Sequence, residues 1–135
     1  MVITLSLVEI LIVVVLNFVL GFVWYSPTLF GKSWQRETGL SDAEIGNGPS
    51  PMDMIMVAVG SAVAAIVMAT LFTYVVPASL TEALIWGLMI GVGFIATAFS
   101  GNYIFEKHSR MLFALDSAYW ILSTLMVAAV VFLVK

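Results

Sequence analysis

A few polar side chains interrupt the long apolar runs of this chain, and any chemistry must start from them: Glu9, Asn17, Asn102, Asp116, Tyr119, Ser123 and Thr124. An amide such as Asn17 or Asn102 both donates and accepts hydrogen bonds. In an apolar medium it either locks helix packing or lines a polar pocket. An aspartate such as Asp116 needs a partner or a proton there. Asp116, Tyr119 and Ser123 recur at helical spacing and so share one stripe, with Trp120 adjoining, while Asn17, Gly21 and Trp24 share another. At ~1.5 Å of helical rise per residue, Asp116 lies roughly 8 Å from its nearest loop, Asn17 and Tyr119 each about 12 Å, and Asn102 closer still. The two stripes are expected to face each other or a shared cavity. That cavity is either a hydrogen-bond network that fixes the bundle or a polar, proton-linked site. Arg110 is the nearest cation to Asp116, at a long reach of six helical residues. Glu9 stands apart, near the other end of its run. It suits either a proton-coupling acid or an acid at a frayed helix start that reaches water or a subunit interface.

Other chemistries lack their residues. The chain has no cysteine and one histidine, which leaves no thiolate chemistry and no His- or Cys-rich metal site. Glu106-Lys107-His108 reads as a short solvated turn, not a catalytic group. There is no nucleophile–base–orienter set, no phosphate loop and no dinucleotide fingerprint, so no cofactor and no enzyme activity are expected. A net charge of −3 argues against nucleic acid, which needs a basic face.

The elements that must position these residues are membrane-spanning helices. The 135 residues are 62% hydrophobic and 10% charged, with mean hydropathy +1.13. Soluble domains carry about 25% charged residues, and a chain this short has too much surface to hide so much apolar area from water. Four continuous apolar runs, near 2–25, 51–76, 80–105 and 111–134, each reach the ~20 residues that cross a bilayer. The first lacks a basic leader and ends in Trp24-Tyr25-Ser26-Pro27, so it reads as a retained span. The fold class is therefore all-α, an integral membrane four-helix bundle forming a single transmembrane domain over 1–135.

Caps punctuate it. Ser50-Pro51-Met52-Asp53 and Ser79-Leu80-Thr81-Glu82 read as helix starts, and Pro77 ends the second span. The connection between spans two and three is so short that a tight antiparallel hairpin is expected. The loop 26–50 is long and structured. Phe30 and Trp34 lie one turn apart, which suits a short helix in the interface with its rings among headgroups. Ser41 and Glu44 form a capping box for a second short helix. Trp24, Tyr25, Phe30 and Trp34 are thus expected to anchor the chain at the membrane surface. Small residues should let helices approach: Gly21 on the first span, Gly60 with Ala64 on the second, and Gly87, Gly91, Ala98 and Gly101 along one face of the third.

The basic residues bias orientation. Lys32, Arg36, Lys107 and Arg110 fall in loops on one side, against Lys135 on the other. The positive-inside rule puts loops 26–50 and 106–110 in the cytoplasm and both termini outside.

The run Asn17-x-x-x-Gly21-x-x-Trp24-Tyr25-Ser26-Pro27-x-x-Phe30-Gly31-Lys32-x-Trp34 resembles the signature of the bacterial membrane family called domain of unknown function 1761. Phe105-Glu106, Leu112-Phe113, Asp116 and Tyr119 are similar to its last hairpin. The resemblance spans essentially the whole chain. It implies a four-span protein of a bacterial inner (cytoplasmic) membrane and carries no activity with it.

The expectation for function is a homo-oligomer in the lipid bilayer, transporter- or channel-like, acting on a small solute or ion through Asn17, Asn102, Asp116 and Tyr119. The alternative is a structural or assembly protein that binds a partner helix or lipid. A membrane enzyme acting on lipid is the least favoured reading.

Overall fold

The computed structural model describes residues 5–134. The expected start of the first span at residue 2, the termini and Lys135 lie outside them. All regular structure among the described residues is helical. Helix α1 runs Leu7–Trp24, α2 Gly31–Thr38, α3 Asp42–Gly46, α4 Pro51–Val75 and α5 Leu80–Ile90. A π-helical turn, Gly91–Ala96, joins α5 to α6 (Thr97–Phe105), and α7 runs Arg110–Leu133. The four spans Leu7–Trp24, Pro51–Val75, Leu80–Phe105 and Arg110–Leu133 are long and apolar enough to cross a membrane. The chain is a multi-pass membrane protein.

Local chemistry sets most helix starts. Ser50 accepts from the Asp53 amide while the Asp53 carboxylate accepts from the Ser50 amide, and Pro51 stands where no amide hydrogen is needed. Ser41 and Glu44 do the same for α3. At α5 the Ser79 hydroxyl accepts from the Glu82 amide, but the Glu82 carboxylate reaches back to the Ala78 amide. Val76 adopts a left-handed conformation, φ 41°, which ends α4 just before Pro77.

Helix α7 is the centre of the bundle. Helices α1 and α4 pack on it and on each other, and α5 with the π turn packs on its other side. The core is Val13, Ala65, Met68, Ala69, Phe72, Ala83, Val127, Ala128 and Val131, all nearly inaccessible. Outer faces stay apolar, as the stripe Ile55, Val59, Val63 and Val67 on α4 shows. In lipid such a surface needs no cover.

The expected hairpin of spans two and three does not close. Helices α4 and α5 meet at their connection but do not pack along their lengths, because α5 spends its small residues on α7 instead. A Cβ on Gly87 would stand 2.8 Å from the Thr124 carbonyl oxygen, and one on Gly91 2.5 Å from Thr124 Oγ1. These two glycines let the backbones touch. The rest of the expected small-residue face does no such packing. Gly60 and Gly101 have nothing within 4 Å of a Cβ, and Ala64 and Ala98 are exposed.

The π turn explains the break in that stripe. A π turn holds one residue more than an α turn. Beyond it, the face that began at Gly87 and Gly91 continues one position late, through Ile95, Phe99 and Tyr103, all half-buried, while Ala98 and Asn102 turn outward.

Candidate functional site

Two polar centres form, separated by Tyr119. The first is Asn17, 4% exposed at the meeting of α1, α4 and α7. Its direction follows from the hydroxyl bonds around it. The Ser61 hydroxyl donates to the Val57 carbonyl at 2.9 Å, so its oxygen is left to accept from Asn17 Nδ2 at 3.0 Å. The Asn17 amide oxygen therefore faces α7 and accepts from the Ser123 hydroxyl at 2.7 Å. One amide thus ties three helices together without a charge.

This network forms part of the wall of a cavity of about 390 Å³. Its mouth lies between α4 and the π turn, where the two spans fail to close. Met56, Gly60 and Ala64 line one side, Ile90 and Ile95 the other, with Trp120, Ser123 and Thr124 behind. No charged side chain lines it. The Thr124 hydroxyl is turned to its own helix, donating to the Ile121 carbonyl at 2.9 Å.

The second centre is Asp116, nearer the basic loops. The Tyr25 hydroxyl donates to Asp116 Oδ1 at 2.7 Å and the Tyr103 hydroxyl to Oδ2 at 2.5 Å. Both are lengths of strong hydroxyl–carboxylate bonds. Arg110 forms no ion pair with it; the ion pairs among the described residues are Arg36–Glu37 and His108–Glu106. Aromatic rings surround the carboxylate's partners. Trp34 meets Tyr25 edge-on at 5.4 Å, Tyr119 lies 5.3 Å from Tyr25, and Phe99 stacks on Tyr103 at 5.7 Å.

Tyr119 is 8% exposed and stands between the centres. Its hydroxyl is 3.5 Å from the Asn17 backbone carbonyl, and it covers Gly21, where a Cβ would approach it to 3.3 Å.

The residues expected to share one site therefore divide. Asn17 lines the cavity; Asp116 does not, and Tyr119 is the partition. Asn102 joins neither centre: it is exposed and bonded to none of the other three, and Tyr103 holds the place beside Asp116 because of the extra residue in the π turn. Glu9 is 3% exposed, and its carboxylate accepts from the Ser6 amide at 2.6 Å, closing the capping box of α1. That is a cap's work, with no link to either polar centre.

The loop aromatics also turn inward. Phe30 packs on Trp24 at 4.5 Å and Trp34 on Tyr25, so the rings expected among headgroups close the end of the bundle. Gly31 makes this fold-back possible, since a Cβ there would stand 2.3 Å from the Tyr25 carbonyl oxygen. Lys32 and Arg36 remain exposed.

Ser61, Tyr25 and Tyr103 were not legible as site residues. Ser61 stands next to Gly60 in a run of small residues, and Tyr25 stands in an aromatic belt. A tyrosine one residue past an expected polar position carries no signal unless the π turn is known.

The family model described as "Protein of unknown function (DUF1761)" matches residues 8–132, nearly the whole chain, and the chain belongs to that family. No curated protein and no solved structure matches it.

Proposed function

We propose that this member of the DUF1761 family is a transporter- or channel-like membrane protein that takes a small solute into the cavity between α4, the π turn and α7. The observation that carries the reading is the cavity itself: about 390 Å³, largely apolar, with one oriented amide network at Asn17 in its wall. Small-molecule sites combine these features, an apolar lining of ~300–1,000 Å³ and a few placed polar groups. The reading includes no enzymatic step.

The working unit is a homo-oligomer in a bacterial inner membrane. A second copy beside the gap between α4 and α5 would deepen the cavity wall and leave its mouth open to the bilayer, and the exposed Gly60 and Ala64 let a helix come close. The basic loops face the cytoplasm and both termini lie outside. The exposure of Lys32, Arg36, Lys107 and Arg110 supports that orientation.

The second reading, a structural protein that docks a partner helix, is favoured by the same Gly60–Ala64 rim. Thiol labelling separates the two, because the chain has no native cysteine. In proteoliposomes, a nitroxide attached to Ala64→Cys in the cavity should stay mobile and open to dissolved oxygen, as should one attached to Val63→Cys on the lipid face. A label immobilised and shielded from oxygen at Ala64→Cys alone removes the solute cavity and leaves a groove filled by a helix.

A further inference from the structure

We infer that the ligand of this cavity is an uncharged, lipid-soluble amphiphile carrying a hydroxyl group, which enters sideways from the bilayer. The inference rests on the cavity being the binding site.

The first argument is charge. Every lining side chain is apolar or carries a neutral hydroxyl, amide or indole N–H. A charged ligand buried there would lose its water and find no counter-charge. The second is position. The lining runs from Met56 to Met68 on α4, roughly 8–26 Å from that helix's start at ~1.5 Å per residue. The mouth between α4 and the π turn thus opens across the middle of the span, among exposed apolar residues such as Val67. At that depth the solvent at the mouth is hydrocarbon.

The third is the hydrogen-bond account. An amide offers two N–H donors and two acceptor sites. Asn17 spends one donor on Ser61 and one acceptor site on Ser123. The Ser61, Ser123 and Thr124 protons are committed to Val57, Asn17 and Ile121. The polar wall therefore keeps one donor on Asn17, together with the indole N–H of Trp120, and several acceptor sites. A hydroxyl both accepts from such a donor and gives its own proton to a neighbouring oxygen. A ketone or ether would use a donor alone, and an alkane neither.

Trp120, half-exposed in the cavity wall, supplies the test through quenching of its fluorescence. The purified full chain in nanodiscs is titrated with 10-bromodecan-1-ol, with 1-bromodecane and with (10-bromodecyl)trimethylammonium. The quenching that Trp120→Phe removes is taken as the cavity signal. On the otherwise unaltered chain the alcohol should saturate that signal at about ten-fold lower membrane concentration than the alkane, the value of one net hydrogen bond. The ammonium probe should be weakest. Gly60→Leu, placed where nothing lies within 4 Å of a Cβ, should fill the cavity without disturbing the core and abolish saturation for every probe. Equal binding of alcohol and alkane, or best binding of the ammonium probe, with Gly60→Leu still blocking, overturns the hydroxyl class and leaves the cavity as a site. Quenching indifferent to Gly60→Leu overturns the cavity as the site, and the inference with it.

Discussion

The Tyr25 hydroxyl donates to the Asp116 carboxylate at 2.7 Å, across 91 residues of sequence. This bond joins the end of the first span to the central helix and sits beneath Trp34, so it also fixes where the loop helix α2 lies. With Tyr103 on the other carboxylate oxygen, Asp116 is satisfied by hydroxyls and needs no cation. Tyr25→Phe should lower stability by about 1–3 kcal/mol, the range for a hydrogen bond to a charged group, here a part-buried one. In a double-mutant cycle with Asp116→Ala, measured by denaturant unfolding in detergent, the two losses should fall short of additivity by about 1 kcal/mol or more. Strict additivity would mean the bond contributes nothing.

The π turn makes a sharper prediction. Tyr103→Phe should cost about 1–3 kcal/mol, whereas Asn102→Ala should stay within about 0.5 kcal/mol, as exposed substitutions do. A larger loss at Asn102 than at Tyr103 would show that the third span is a continuous α-helix in the membrane.

Glycines on the same span should differ in kind. Gly87→Ala and Gly91→Ala force a methyl against α7 and should each cost about 1–3 kcal/mol by overpacking. Gly93→Ala meets open space and should be neutral or mildly stabilising in the same unfolding assay. If all three behave alike, the close approach of α5 to α7 is wrong.

Gly31→Ala should undock α2, because a Cβ there collides with backbone that cannot swing away. The expected signs are a red-shifted tryptophan emission and faster proteolysis within 26–50. Gly46→Ala, in the same loop with open space, is the control. Equal proteolysis of the two variants would remove the claim.

The α3 cap should depend on pH. Hydrogen bonds from the Ser41 amide and hydroxyl hold the Glu44 carboxyl below its ordinary value. A carboxyl whose folded value lies below its unfolded one stabilises above the unfolded value, and that stability is lost as pH falls through the folded one. Amide exchange across 42–46, corrected for its intrinsic pH dependence, should therefore be steady from pH 6 to 8 and lose protection in acid below the usual carboxylate range. Glu44→Gln should flatten the profile; an unchanged profile would mean the cap does not titrate.

The four spans, their caps and the all-helical class were legible in the residues themselves, because lipid demands long apolar helices and the starts are set by side chains three positions away, as at Ser50 and Asp53. The importance of Asn17 and Asp116 was legible too, since a polar group in hydrocarbon must have a partner. Ser123 was legible as well, since its stripe with Tyr119 was expected to face Asn17 and Gly21, and it does. The other partners were not: Ser61 meets Asn17 only because α1 and α4 both pack on α7, and hydroxyl residues occur in many spans that bond only their own backbone. Tyr103 replaces Asn102 beside Asp116 because one extra residue in a π turn rotates everything after it, and no local propensity marks Gly91–Ala96 for that turn. The cavity is likewise a tertiary product. Composition sets how much apolar surface the chain has, but only the choice of α5 to lay Gly87 and Gly91 on α7, and not on α4, leaves the gap.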